Sequence, residues 1–145
     1  MSIDIIDRAF QALTSGDPDR ISRVLTEDAE WLSPPGNAVA VALEAPDHMV
    51  GREAIVRFFT EDFPRLFARG VDVAVRGAHA DGGRATLEAN VKAALPGGGR
   101  YDVDYCFVFE LRGGLVHRVR EYADTARAHR MVSGGVPPRP SAPEP

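Results

Sequence analysis

Three glycine-rich interruptions divide the second half of the chain and leave it little choice of fold. Asp81-Gly82-Gly83, Pro96-Gly97-Gly98-Gly99 and Arg112-Gly113-Gly114 separate four stretches predicted as strands: Val71 to Arg76, Arg84 to Leu95, Arg100 to Leu111 and Leu115 to Tyr122. Connections this short join antiparallel neighbours, because a parallel crossover needs a dozen or more residues. The four segments therefore form a meander whose members are long enough to curl.

Ahead of the meander the hydrophobic period changes from two to 3.6. Ile3, Ile6, Phe10 and Leu13 make one stripe on a helix that ends at Gly16. Asp17-Pro18 reads as an N-cap followed by an N1 proline, opening a second short helix with Ile21, Val24 and Leu25 toward the core. Ala29 to Leu32 is extended, carries Trp31 and stops at Ser33-Pro34-Pro35-Gly36. Asn37 to Val50 has no clear period and contains Pro46, so it reads as a long loop of the kind that serves as a lid or a ligand contact. Glu53 to Ala68 returns to helical spacing with Ile55, Phe58, Phe59, Phe63, Leu66 and Phe67, and Pro64 must kink or restart it. Asp124 or Thr125 caps a last short helix to Met131. The fold class is α+β, helices first and a curled antiparallel sheet second.

At 145 residues with a net charge of −4, the chain fits one domain over 1–134. The tail over 135–145, rich in proline, is expected to be disordered. No basic stripe is present to neutralise phosphates, so nucleic acid is not an expected partner. No stretch is apolar and long enough for a bilayer, and the start lacks a basic n-region; neither a membrane nor export is expected, which places the protein in the cytoplasm. The lone Cys106 and four scattered histidines point to no disulfide and no metal, and no glycine cluster has the spacing of a phosphate loop. No cofactor is expected.

The most informative single residue is Glu121. On the last strand it shares a face with Leu115, Val119 and Ala123, while Arg118 and Arg120 point the other way. A carboxyl on an apolar face costs free energy unless it is paired, hydrogen-bonded or protonated, and its raised pKa then suits general acid or base work. A buried Glu satisfied by a structural donor is the competing reading. His117 lies on the same predicted face and is a weaker candidate. On the strand from Arg84 to Leu95, Thr86, Glu88, Asn90 and Lys92 alternate with Ala85, Leu87, Ala89, Val91 and Ala93. Period alone sends the polar set to solvent; the alternative packs the apolar set against a partner subunit and turns Glu88 and Asn90 into the cavity. On the next strand Val103, Tyr105, Phe107 and Phe109 form the inward face, and Tyr105 brings a hydroxyl into the interior. Trp31 and Ser33 are core or pocket wall.

The order of parts, with the corner "ALTSGDPDRI", "LTEDAEW" into a strand, "GREAIVRFF" on a helix, then "YDVDYCFVFE" and "GGLVHRVREYADT", resembles the nuclear transport factor 2-like superfamily in its SnoaL-like and ketosteroid-isomerase-like branch, over roughly residues 4–132. The resemblance implies a cone: a strongly curved sheet wrapped around the helices, a pocket at the wide end, and a homodimer through the outer sheet face. Within the superfamily the C-terminal half is similar to limonene epoxide hydrolase from Glu88 through "ALPGGGRYDV" to "VREYAD". That similarity implies that Glu88, Asn90, Val103, Tyr105 and Glu121 face the pocket, with Phe10, Leu13, Trp31, Ser33 and Phe67 as walls. It also shows departures, since Glu88, Asn90 and Glu121 stand where that enzyme has an arginine and two aspartates.

The resulting expectation is cofactor-free acid/base chemistry of isomerase, cyclase or epoxide-hydrolase type on a small hydrophobic molecule such as a terpenoid, polyketide or steroid-like compound. Glu121 would move the proton, Glu88 and Asn90 would tune it, and Tyr105 would donate to a developing oxyanion. A non-catalytic ligand-binding or dimerisation module of the same fold is the alternative. Because the tail carries no apolar period, truncation at Gly135 should leave the melting temperature nearly unchanged. A drop of more than several degrees in thermal unfolding would mean that the tail docks on the domain.

Overall fold

A computed structural model describes residues 2–133. The element order is α1 (Ser2–Leu13), α2 (Pro18–Val24), β1 (Leu25–Leu32), α3 (Ala38–Leu43), β2 (His48–Val50), α4 (Arg52–Arg57), a π-helical turn (Phe58–Asp62), α5 (Phe63–Leu66), β3 (Asp72–Asp81), β4 (Arg84–Ala94), β5 (Arg100–Arg112), β6 (Leu115–Ala123) and α6 (Thr125–Val132). The strands form one six-stranded sheet in the order β2-β1-β6-β5-β4-β3. β3 to β6 are the antiparallel meander that the glycine turns dictate. β1 adds to it in parallel along β6, and β2 closes that edge antiparallel to β1. The sheet is curved and unclosed, with helices on its concave side. No described helix is long and apolar enough to cross a membrane. The tail expected over 135–145 lies outside the described residues.

Local chemistry sets the element boundaries. The Asp17 carboxylate accepts from the backbone N–H of Asp19 at 3.0 Å and caps α2, whose Ile21 is fully buried. Asp124 caps α6 in the same way, accepting from Arg127 N–H at 3.1 Å. Pro64 has no N–H to give, and the chain accommodates it by widening the preceding turn: Phe63 N–H reaches back five residues to Phe58 O.

The stretch 37–50 differs from the expected loop, because it holds a helix and a strand. Asn37 accepts from Ala40 N–H at 3.0 Å to start α3, and Glu44, at φ 53°, ends it in the left-handed region. A six-residue helix of alanine, valine and leucine shows no amphipathic period, and Glu44 is not a residue type that marks a left-handed helix end. β1 begins four residues earlier than expected, and β3 runs five further.

The larger correction concerns β4. Ala85, Leu87, Ala89 and Val91 are buried in the core, at 3%, 5%, 2% and 9% exposure, while Thr86, Glu88 and Lys92 are exposed. The apolar strip is therefore the inner face, not a dimer contact, and Glu88 and Asn90 point away from the cavity. The physical reason is register: Leu87 stands opposite Phe107 and Ala85 opposite Phe109, so turning the polar set inward would have flipped every core side chain of the strand outward. Glu88 lies over Gly77, with its Oε2 2.8 Å from where a Cβ would stand. Asn90 is buried, but against the outer surface, where its Nδ2 donates to Asp102 at 2.7 Å and Asp104 at 3.1 Å.

This register makes opposite forecasts for adjacent residues. Leu87→Ala should destabilise the fold by about 2–5 kcal/mol, as buried leucines do. Glu88→Ala should change it by less than about 0.5 kcal/mol, as exposed positions do. Chemical denaturation of both variants checks the assignment, and the reverse ranking would sink it.

Candidate functional site

Two packed clusters make up the interior, one beneath α1, α2 and α4 and one beneath α3, α5 and α6. Phe58, Phe63, Val73 and Tyr105 pack against both, and all four line a cavity where the clusters meet. Its volume is about 80 Å³ measured for water centres, several times the roughly 10–15 Å³ that one water needs. Nine aromatic rings contribute to the walls. Tyr105 and Phe107 lie parallel with centroids 5.3 Å apart, Trp31 meets Phe59 edge-on at 5.1 Å, and Phe67 meets Tyr101 edge-on at 5.1 Å. The widened turn ahead of Pro64 is what brings Phe58, Phe59 and Phe63 to the same space. α3 and the segment after it cover the cavity with Val39, Ala40 and Pro46.

Glu121 is the one charged side chain that lines this cavity. Strand pairing puts it there: β6 sets Glu121 opposite Phe107 of β5, and the parallel register Trp31–Val119, Leu32–Arg120 carries Ser33, the residue after β1, to its level. Trp31 Nε1–H donates to Glu121 Oε1 at 3.0 Å, and the Ser33 side chain hydrogen-bonds the same carboxyl. Glu121 keeps partial contact with the cavity, yet it lies deep beneath the helices, and burial pushes its pKa up to about 7. The two hydrogen bonds pull the other way without cancelling that rise.

A second polar group sits among the rings. The hydroxyls of Tyr101 and Tyr105 share a short hydrogen bond. Burial holds both phenols in their protonated form, and the negative charge of Glu121 adds to the effect. The cavity thus pairs a carboxyl that changes charge near neutral pH with hydroxyls that stay donors.

The sequence-predicted residues fall into two sets. Glu121, Tyr105, Phe10, Leu13, Trp31, Ser33 and Phe67 line the cavity. Glu88, Asn90 and Val103 do not: the first two are on the outer face of β4, and Val103 is fully covered within the second cluster. His117 leaves the inner face as well. A β-bulge between Glu110 and Leu111 breaks the alternation of β6, and His117 Nδ1 stands 3.5 Å from Thr26 Oγ1 and 3.6 Å from Asp28. Tyr101 was missed, although it shares parity with Val103 and Tyr105 on the strand that the turn 96–99 begins. Phe58, Phe59 and Phe63 were legible as a large aromatic surface but not as walls. Among the described residues no three His, Cys, Asp or Glu side chains gather so that they could hold a metal ion.

Residues 6–119 match the family of SnoaL-like domains, and the chain belongs to it. No curated protein matches the chain. Solved structures with the same fold include TerC co-crystallised with polyporic acid, at 20% identity and a TM-score of 0.77, covering 91% of this chain and 98% of that one. A candidate SnoaL-like polyketide cyclase from Jannaschia sp. CCS1 is 18% identical with a TM-score of 0.74, covering 94% and 92%. A protein of ketosteroid isomerase-like fold from Catenulispora acidiphila DSM 44928, in complex with trimethylamine, is 17% identical with a TM-score of 0.70, covering 89% and 92%. At these identities the likeness concerns the fold.

The position of Glu121 predicts how stability varies with pH. Its folded pKa of about 7 lies above the usual 4.5, so the native state holds a proton that the unfolded chain has released. Stability from this group is present below pH 4.5 and is lost as pH rises to about 7, by up to roughly 3 kcal/mol. Asp102, held below 3.8 by its bond from Asn90, acts only in more acid solution. Denaturant midpoints between pH 5 and 8 should fall in the wild type and stay nearly level in Glu121→Gln; parallel profiles would show that Glu121 titrates normally.

Proposed function

We propose that this SnoaL-like domain is an enzyme that performs cofactor-free acid/base chemistry on a small hydrophobic molecule, with Glu121 as the group that moves the proton. The observation that carries the reading is a carboxyl with a pKa of about 7 facing an aromatic cavity, oriented by Trp31 Nε1–H and Ser33. A base works best when its pKa lies near the pH at which it operates, because it is then both substantially ionised and strong enough to accept a proton.

In this reading the neighbouring groups share the remaining work. Trp31 and Ser33 hold the carboxyl in one orientation and stabilise its charged form. Tyr105, supported by Tyr101, supplies a hydroxyl donor inside the same cavity, suited to an oxygen that gains negative charge as the proton leaves carbon. The aromatic walls exclude water from the substrate, which strengthens both interactions. Isomerisation or cyclisation through an enolate-like state fits this set of groups. The arrangement of limonene epoxide hydrolase, with a second carboxylate activating water, lacks its counterpart, because Glu88 and Asn90 lie on the other side of the sheet. A polyketide or a terpenoid with flat, unsaturated rings matches the aromatic walls better than a sugar or a phosphate ester.

The test is Glu121→Gln, which keeps shape and hydrogen-bonding capacity. The variant should fold and be at least as stable as the wild type at pH 8, since the desolvated charge is gone. Deuterium exchange at the carbon beside the carbonyl of an enolisable ketone, followed by NMR, should slow by roughly two to four orders of magnitude. Exchange at an unchanged rate would leave a ligand-binding module of the same fold as the reading.

A further inference from the structure

The cavity holds a carboxyl group with no cationic partner. No Lys, Arg or His is among its lining residues, and Glu121 forms no ion pair among the described residues. The arginines of its own strand are engaged on the opposite face, where Arg118 meets Glu30 at 3.1 Å and Arg120 meets Glu110 at 2.6 Å. A carboxylate in a low-dielectric interior normally keeps a cation beside it or stays protonated. Here the two donors are neutral, an indole and a hydroxyl.

What surrounds the carboxyl is also suited to positive charge. Ring faces carry the negative side of the aromatic quadrupole, and a cation within about 6 Å of a ring centroid is attracted to it, more strongly when water is excluded. Trp31, the chain's single tryptophan and the best of the aromatic types for this contact, both touches Glu121 and shares the wall with Phe59 and Phe107. Anionic ligands meet the reverse: a carboxyl group, aromatic walls and no cationic side chain among the lining residues.

We propose that the ligand of this cavity carries an alkylammonium group, seated between the Glu121 carboxylate and the rings of Trp31, Phe59 and Phe107. The proposal rests on the acid/base reading in that it uses the same cavity and the same carboxyl, and it names the substrate class. It also adds a step of control. A bound ammonium favours the charged carboxylate, so the substrate itself holds Glu121 in the form that accepts a proton from a neighbouring carbon.

The groups that face Glu121 are few. β5 presents the Tyr101 and Tyr105 hydroxyls and the Phe107 ring, β1 presents Trp31 with Ser33 just after it, α1 presents Phe10 and Leu13 with Thr14 just after it, α3 presents Val39 and Ala40 with its cap Asn37, and the α4–α5 region presents phenylalanines. The phenols stay neutral through the working range, so a pH dependence of cation binding between 5.5 and 8 reports Glu121.

Trp31 fluorescence follows occupancy directly, and choline with its uncharged isostere 3,3-dimethyl-1-butanol isolates the effect of charge. At pH 8 the wild type should bind choline at least tenfold more tightly than the isostere. That preference should shrink at pH 5.5 and in Glu121→Gln alike, to the smaller part that the rings supply without the carboxylate. Equal affinities at pH 8, or a preference that is undiminished in Glu121→Gln, would overturn the proposal. Should that variant fail to fold, the wild type at pH 5.5 gives the same comparison with a neutral carboxyl. Equal affinities together with slowed deuterium exchange in Glu121→Gln would retain the acid/base reading and remove this one. A choline preference with unaffected exchange would do the reverse.

Discussion

Burying a carboxyl group removes water that no neutral hydrogen-bond donor fully replaces, and Glu121 sits where that deficit is met by Trp31 and Ser33 alone. Much of the surrounding architecture serves to make that position possible. β1 runs parallel to β6, and the irregular register between Leu25 and Glu30 shifts its C-terminal end so that Trp31 falls beside Val119. A regular β1 would carry different side chains to the level of Glu121. The bulge on the other side of β6 turns His117 outward and leaves Glu121 as the one titratable side chain of that strand on its inner surface.

The cavity itself follows from an interrupted helix. An unbroken α-helix from Arg52 to Leu66 would need an N–H at Pro64 and would clash with its ring. The widened turn at Phe58–Asp62 resolves both and leaves a gap between two packed clusters rather than one continuous core. α3 then covers that gap. Arg65 Nη2–H donates to Leu43 O at 2.6 Å, tying the cover to the same helical region whose irregularity opened the space.

The outer face of the sheet shows how the polar residues that do not line the cavity are used. Glu30, Arg118, Glu110 and Arg120 alternate in sign across β1, β6 and β5, with contacts from 2.6 to 3.6 Å, and His48 of β2 meets Glu30 at 2.8 Å. Asn90 is the neutral member of a similar arrangement, placing one amide between two aspartates whose other partners include Arg76 and Arg127. Exposed pairs of this kind contribute little individually. Their consequence here is geometric: each cationic side chain of β6 is engaged outside, so none reaches the carboxyl inside.

Much of this was present in the sequence. Glycine turns determined the antiparallel meander, Asp17 and Asp124 announced their helices, and the parity of Val119 and Glu121 put a carboxyl on the apolar side, because each depends on contacts a few residues apart. The two faces of β4 were equally legible as a pattern, yet pattern alone does not say which face a neighbouring strand covers; Phe107 and Phe109 decided it, through pairings that span a turn. The family likeness pointed the other way for Glu88, Asn90 and Val103, since a superfamily shares its fold more faithfully than its choice of pocket residues. Only the tertiary structure could bring Trp31 and Ser33 to Glu121, ninety residues away, or join Tyr101 to Tyr105 in one cavity. Those contacts arise from a parallel strand pairing and two bulges whose register no local periodicity encodes.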